Sequence, residues 1–158
     1  PLILGGGQER DRRSGTHNVA GIIATAKALE VTDSTRVSEC ERVSVMRDRL
    51  VDEIRAALDG VLETVPRQHR VPGAAHLCFS GVENEALLFL LDQVDVCASA
   101  ASACASGAME PSHVLEAMGV ERSWSNGALR LSLGHTTTNA DIDKAVSAIV
   151  SAVNQLRR

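Results

Sequence analysis

The sequence predicts a small α/β sandwich in which a largely antiparallel sheet of about four strands packs against helices. Hydrophobic residues recur at helical spacing from Asn18 to Leu58 and again from Thr138 to Val153. Between those stretches the period drops to two, in Val61–Val65, Ala75–Phe79, Val94–Cys97 and Ala128–Leu133. Strands and helices are mixed without strict alternation, which favours antiparallel pairing. With 158 residues, 44% of them hydrophobic and 23% charged, the chain has a globular composition and enough length for one ordinary core.

The first sixteen residues are glycine-rich and charged and read as a loop. A helix then runs from Asn18 to about Glu30, with Val19, Ile22, Ile23 and Ala26 on one face. Asp33-Ser34 is a second start signal, after which Val37, Cys40, Val43, Leu50, Ile54 and Leu58 recur until Gly60 ends the helix. Pro72-Gly73 marks the turn between the first two strands, and Glu83–Leu91 reads as a short helix. Val94–Cys97 is the expected third strand, followed by tiny residues from Ala98 to Ala108. Pro111 suits the first turn of a helix ending near Gly119. The fourth strand places Leu129, Leu131 and Leu133 on one face. Thr138, with Asp141 three residues on, caps the last helix, whose buried stripe is Ile142, Ala145, Val146, Ile149, Val150 and Val153.

Composition excludes several functions. A net charge of −4 argues against a nucleic-acid surface, and the short cluster Arg10, Arg12, Arg13 sits beside acidic residues. Phe79, Phe89 and Trp124 are the only aromatics, too few for a base-stacking platform. No apolar run is long enough to cross a bilayer and no signal peptide opens the chain, so no membrane is expected. Cys40, Cys78, Cys97 and Cys104 form no Cys-x-x-Cys pair, and no Cys/His cluster suggests a metal, so a reducing cytoplasm is the expected compartment. His17, His69, His76, His113 and His135 lack ligand spacing and are expected to be surface or satisfied structural residues. The opening at Pro1, running directly into Gly5-Gly6-Gly7, is expected of a segment from within a longer protein.

Three segments carry chemistry. Ala98–Ala108 is built of residues too small to pin a loop by burial, so a thiol among them at Cys104 is accessible. Composition leaves a reactive nucleophile and an incidental surface cysteine equally open there. Cys97, closing an apolar strand, is expected in the core; a redox partner for Cys104 is the sharper alternative. In Leu4–Thr16, glycines let backbone amides approach an anion and Ser or Thr hydroxyls can complete its site, while the plain alternative is a surface loop. Arg130 lies opposite the leucine face of its strand, either as a solvated side chain or as a two-pronged clamp for a carboxylate.

Gly5-Gly6-Gly7-Gln8-Glu9-Arg10 with Arg13-Ser14-Gly15-Thr16, Ser102-Ala103-Cys104 with Glu110-Pro111-Ser112-His113-Val114-Leu115, and Leu129-Arg130-Leu131-Ser132-Leu133-Gly134 together resemble the NifS/IscS cysteine desulfurases. These are class V aminotransferase-like, fold-type I pyridoxal-phosphate enzymes. The Ser-Ala-Cys sequence in a long small-residue loop is similar to the NifS/IscS group rather than the SufS-like group.

The resemblance implies a cytoplasmic homodimer in which Cys104 attacks the sulfur of a cofactor-bound L-cysteine, releasing L-alanine and keeping the sulfur as a persulfide. That sulfur would pass to an acceptor or iron–sulfur scaffold protein. Thr16 would donate a hydrogen bond to the cofactor phosphate across the dimer interface, and Arg130 would bind the substrate carboxylate. Residues 1–36 would be the end of the large domain with its connecting helix, and 37–158 the small C-terminal domain. Two features depart from the family. Ala100-Ala101 stand where a serine-glycine pair is usual, and no lysine follows a histidine to hold the cofactor. Lys27 and Lys144, the only lysines, read as surface charges, so the chain alone is expected to be inactive. The alternatives are a selenocysteine lyase or another class V lyase, and a non-catalytic dimerisation or docking domain.

Overall fold

A computed structural model describes residues 1–100 and 112–158. The chain divides into two compact units, Pro1–Ser38 and Glu39–Arg158. In the first, a loop closes on itself through an Ile3–Arg13 bridge and a hydrogen bond from the Ser14 hydroxyl to the Leu4 carbonyl. The Gly15 amide donates to the Gln8 side chain at 3.1 Å. Glu9, Arg10 and Asp11 all lie in the left-handed region, with φ of 55°, 55° and 62°. Helix α1 (Val19–Ala57) then starts under the Asn18 side chain, which accepts from the Gly21 amide at 3.0 Å. The second start signal at Asp33-Ser34 does not interrupt it. The Ser34 and Thr35 hydroxyls donate instead to the Val31 carbonyl, the use such side chains find inside a helix.

In the second unit the C-terminal turns of α1 bury Val43, Met46, Leu50, Val51 and Ile54. Leu58 follows them into the core, and Gly60, at φ 63°, turns the chain into the sheet. Strands β1 (Val61–Glu63), β2 (Ala74–Phe79) and β3 (Ala128–Ser132) pair antiparallel in the order β1-β2-β3. Ala75, Leu77, Phe79, Leu129 and Leu131 form its buried face. Packed in the same cluster are α2 (Asn84–Asp92), through Leu87 and Leu91, and α5 (Asn139–Leu156), through Ile142, Ile149 and Val153. The capping box expected at Thr138 and Asp141 is formed. On the opposite face, Cys78 and Ala128 are covered by α3 (His113–Ala117) and α4 (Arg122–Ser125) through Leu115 and Trp124.

Three arginines tie loops to this framework by donating to carbonyls. Arg42 reaches Gly134, His135 and Thr137; Arg47 reaches Val71 and Pro72; Arg157 reaches Asp59, Gly60 and Ser80. A charged donor bonding a neutral carbonyl is stronger than a neutral pair, and each arginine forks across several acceptors.

Among the described residues the sheet has three strands rather than about four. Val94–Cys97 is not a strand because α2 closes on it. The Val96 amide returns to the Leu91 carbonyl at 3.0 Å and the Asp95 amide to the Asp92 carbonyl at 3.1 Å, with Asp95 left-handed at φ 54°. This is a Schellman closure, in which an apolar residue folds back over the helix end. Its alternating Val-x-Val pattern mimics a strand. Among the described residues the fourth position of the sheet holds one bridge, Ser99 to Arg130. Cys97, expected in the core, is exposed for the same reason.

Candidate functional site

Register across the sheet assembles a polar row on the face opposite the main core. His76 pairs with Arg130, and Arg130 with Ser99. Extending the β1–β2 register by one residue sets Thr64 beside His76, where the Thr64 amide donates to the His76 carbonyl at 3.2 Å. The row therefore reads Thr64, His76, Arg130, Ser99.

Its geometry follows from which bonds each residue makes. Arg130 exchanges both backbone hydrogen bonds with Ser99, at 2.7 Å and 3.1 Å. Its amide and carbonyl thus point away from β2, and His76/Arg130 is a non-hydrogen-bonded pair. Side chains come closest in pairs of that kind. The Arg130 guanidinium is exposed, and among the described residues it makes no hydrogen bond or ion pair. A fixed backbone with an uncommitted two-pronged donor is what carboxylate binding needs.

His76 is half-buried, and its Nδ1 lies 2.9 Å from the Thr64 hydroxyl. Burial, and then the Arg130 charge, hold the imidazole below its ordinary range and favour the neutral ring. The expectation of a satisfied structural histidine is met on the Thr64 side. Its place beside Arg130 was invisible in the sequence, because neighbours across a sheet depend on register.

Cys104 lies outside the described residues, together with the rest of 101–111, Pro111 included. In the sequence it follows Ser99, the edge of the polar row, by five positions. Cys78 is buried and its thiol is pushed up to about 11, which leaves it a packing residue. Cys97 lines an open groove of roughly 240 Å³ with Asp95, Lys144 and Ser132.

Thr16 belongs to the other unit. Arg13 donates to the carbonyls of Ser14, Gly15 and Thr16, the Gly15 contact being 2.9 Å, and so holds the backbone that presents the exposed Thr16. Glu9 sits between Arg13 and His17, at 3.5 Å and 3.1 Å.

A curled glycine-rich loop, a helix and a three-stranded sheet carrying a lone arginine define a class, and the comparisons identify it. Residues 6–145 match the family described as Aminotransferase class-V, and the chain belongs to that family. Within it, its relatives are cysteine desulfurases of the NifS/IscS type. The "IscS-like cysteine desulfurase" of Mycobacterium tuberculosis is 45% identical over 159 residues, covering 100% of this chain and 40% of that protein. The "Cysteine desulfurase NifS" of Azotobacter vinelandii is 40% identical, covering 99% and 39%. The solved structure of a NifS-like protein superposes with a TM-score of 0.83 at 30% identity, covering 98% of this chain and 39% of that one. The chain thus spans about 40% of the length of these relatives.

Family membership implies pyridoxal phosphate in the full-length enzymes. The residues of this chain do not by themselves fit that group. Lys27 lies on α1 with its amine 3.0 Å from Glu30, and Lys144 lies exposed on α5, donating to the Asp95 carbonyl at 3.4 Å. The Lys27 amine is committed to a carboxylate, and the Lys144 amine borders the open groove at Cys97, where it donates to a backbone carbonyl.

Proposed function

We propose that this chain supplies the sulfur-accepting thiol and the carboxylate clamp of a cysteine desulfurase, the cofactor anchor lying in residues it does not contain. The observation that carries the reading is the polar row. A guanidinium with no partner among the described residues stands on a fixed strand, its backbone bridged to Ser99, five positions before Cys104 in the sequence. In this reading Arg130 grips the α-carboxylate of L-cysteine and so fixes where its sulfur lies. The Cys104 thiolate attacks that sulfur, an S–S bond forms and the substrate Cβ–S bond breaks. The electron pair of the broken bond remains on the substrate carbon, which takes up a proton to give L-alanine, and Cys104 is left as a persulfide. Thr16 would be the residue of this chain that holds the cofactor phosphate of a neighbouring subunit, and the persulfide sulfur passes to an acceptor or iron–sulfur scaffold protein.

The test grafts this chain in place of the corresponding 40% of the Mycobacterium tuberculosis relative. The graft should convert L-cysteine to L-alanine and carry one extra sulfur on Cys104 by mass spectrometry. Cys104→Ser should abolish both. Persistent alanine formation in that variant refutes the nucleophile, and turnover restricted to selenocysteine points to a selenocysteine lyase. A graft that binds cofactor but turns over neither substrate leaves the docking-domain alternative standing.

A further inference from the structure

We propose that His76 is a positioning residue for Arg130, holding the guanidinium in the direction from which it takes the substrate carboxylate. The inference rests on the desulfurase reading for the identity of the carboxylate, but its geometry stands apart from it. Arg130 carries a long side chain that would otherwise sample many rotamers, and ordering it on binding costs affinity. Its only described neighbour directly across β2 is His76, in the close, non-hydrogen-bonded type of pair.

The imidazole is itself held from behind. Its Nδ1 is 2.9 Å from the Thr64 hydroxyl, and that hydroxyl also lies 3.4 Å from the His76 carbonyl. When Thr64 donates its one proton to the carbonyl, it accepts from Nδ1–H. The ring then presents an unprotonated Nε2, an acceptor on the same face of the sheet as Arg130, whose guanidinium makes no hydrogen bond or ion pair among the described residues. Across the row, Thr64, the residue after β1, contacts the ring on one side, and Arg130 on β3 is the charged group acting on it. A protonated ring would repel the guanidinium, so burial of His76 serves the same end. Thr64 and His76 thus form a chain of support ending at the substrate-binding side chain.

Two measurements decide it. In the 158-residue chain, two-bond ¹H–¹⁵N correlations should show His76 neutral with the proton on Nδ1, and Arg130→Gln should raise its pKa. A ring protonated on Nε2, or a pKa indifferent to Arg130→Gln, overturns the proposal. In the grafted enzyme, His76→Leu should raise KM for cysteine about tenfold while kcat stays within about twofold, the loss of roughly one ordered side chain. His76→Gln, which restores an acceptor near the Nε2 position, should recover most of that loss. An unchanged KM in His76→Leu, or a loss equally large in His76→Gln, overturns the proposal. If the unaltered graft is inactive, the desulfurase reading fails, and the ring's tautomer and titration still decide whether His76 orients Arg130.

Discussion

The described cysteines occupy three different environments, and their chemistry should separate accordingly. Cys78 is sealed under Leu115 and Trp124 with its thiol near 11, whereas Cys97 is exposed and Cys40 intermediate. Thiolate is the alkylating species, so a mild reagent at neutral pH should label Cys97 before Cys40 and reach Cys78 only on unfolding. Mass spectrometry of timed samples checks the order. His76 gives a second prediction. Its imidazolium is disfavoured in the folded state, so below the ordinary value of 6.5 the unfolded chain binds more protons than the folded one. Stability then rises with pH through that window, and the contribution is lost as the pH falls through it. Denaturant midpoints at about pH 5.5 and pH 7.5 should differ more for the native chain than for His76→Asn. Arg130 was legible as a candidate because alternation alone sets it opposite the leucines. Thr64 and His76 were not, since their roles come from a register that no local pattern states.

Among the elements, the sheet and the last helix were legible where side-chain period and cap chemistry agree. Thr138 with Asp141 is the clearest instance. Two expectations failed for local reasons. Asp33-Ser34 resembles a helix start, but inside α1 the hydroxyls satisfy themselves on the preceding turn. Val94–Cys97 alternates like a strand, yet Asp95 and Val96 complete a helix closure whose signature is normally a glycine. Asp95 holds φ at 54° with a side chain attached, so Asp95→Gly should stabilise the second unit by about 0.5–1 kcal/mol. A thermal melt reads the change, and a lower midpoint would show that the aspartate makes a compensating interaction.

For the whole molecule, the family was legible because its glycine-rich, cysteine and arginine motifs stand in order along the chain. The chain aligns to about 40% of the length of each relative. Lys27 and Lys144 are surface amines, one paired with Glu30 and the other on a carbonyl. Mixing the chain with pyridoxal phosphate should therefore give no saturable absorbance change that borohydride makes permanent at a single lysine. A stoichiometric, lysine-specific product found by peptide mapping would contradict the assignment of the cofactor anchor to other residues.

The reach of Arg157 has a consequence for how the chain is made. Its guanidinium bonds Asp59 and Gly60, residues 98 and 97 positions earlier, and α5 just before it buries Ile142, Ile149 and Val153 against the core. A ribosome delivers these partners in the opposite order to their need. Leu50, Ile54 and Phe79 emerge early and must wait, uncovered, for a helix synthesised long afterwards. The second unit should close only once α5 is free of the exit tunnel, and a nascent chain stalled before Asn139 should be a client for chaperones that hold apolar segments.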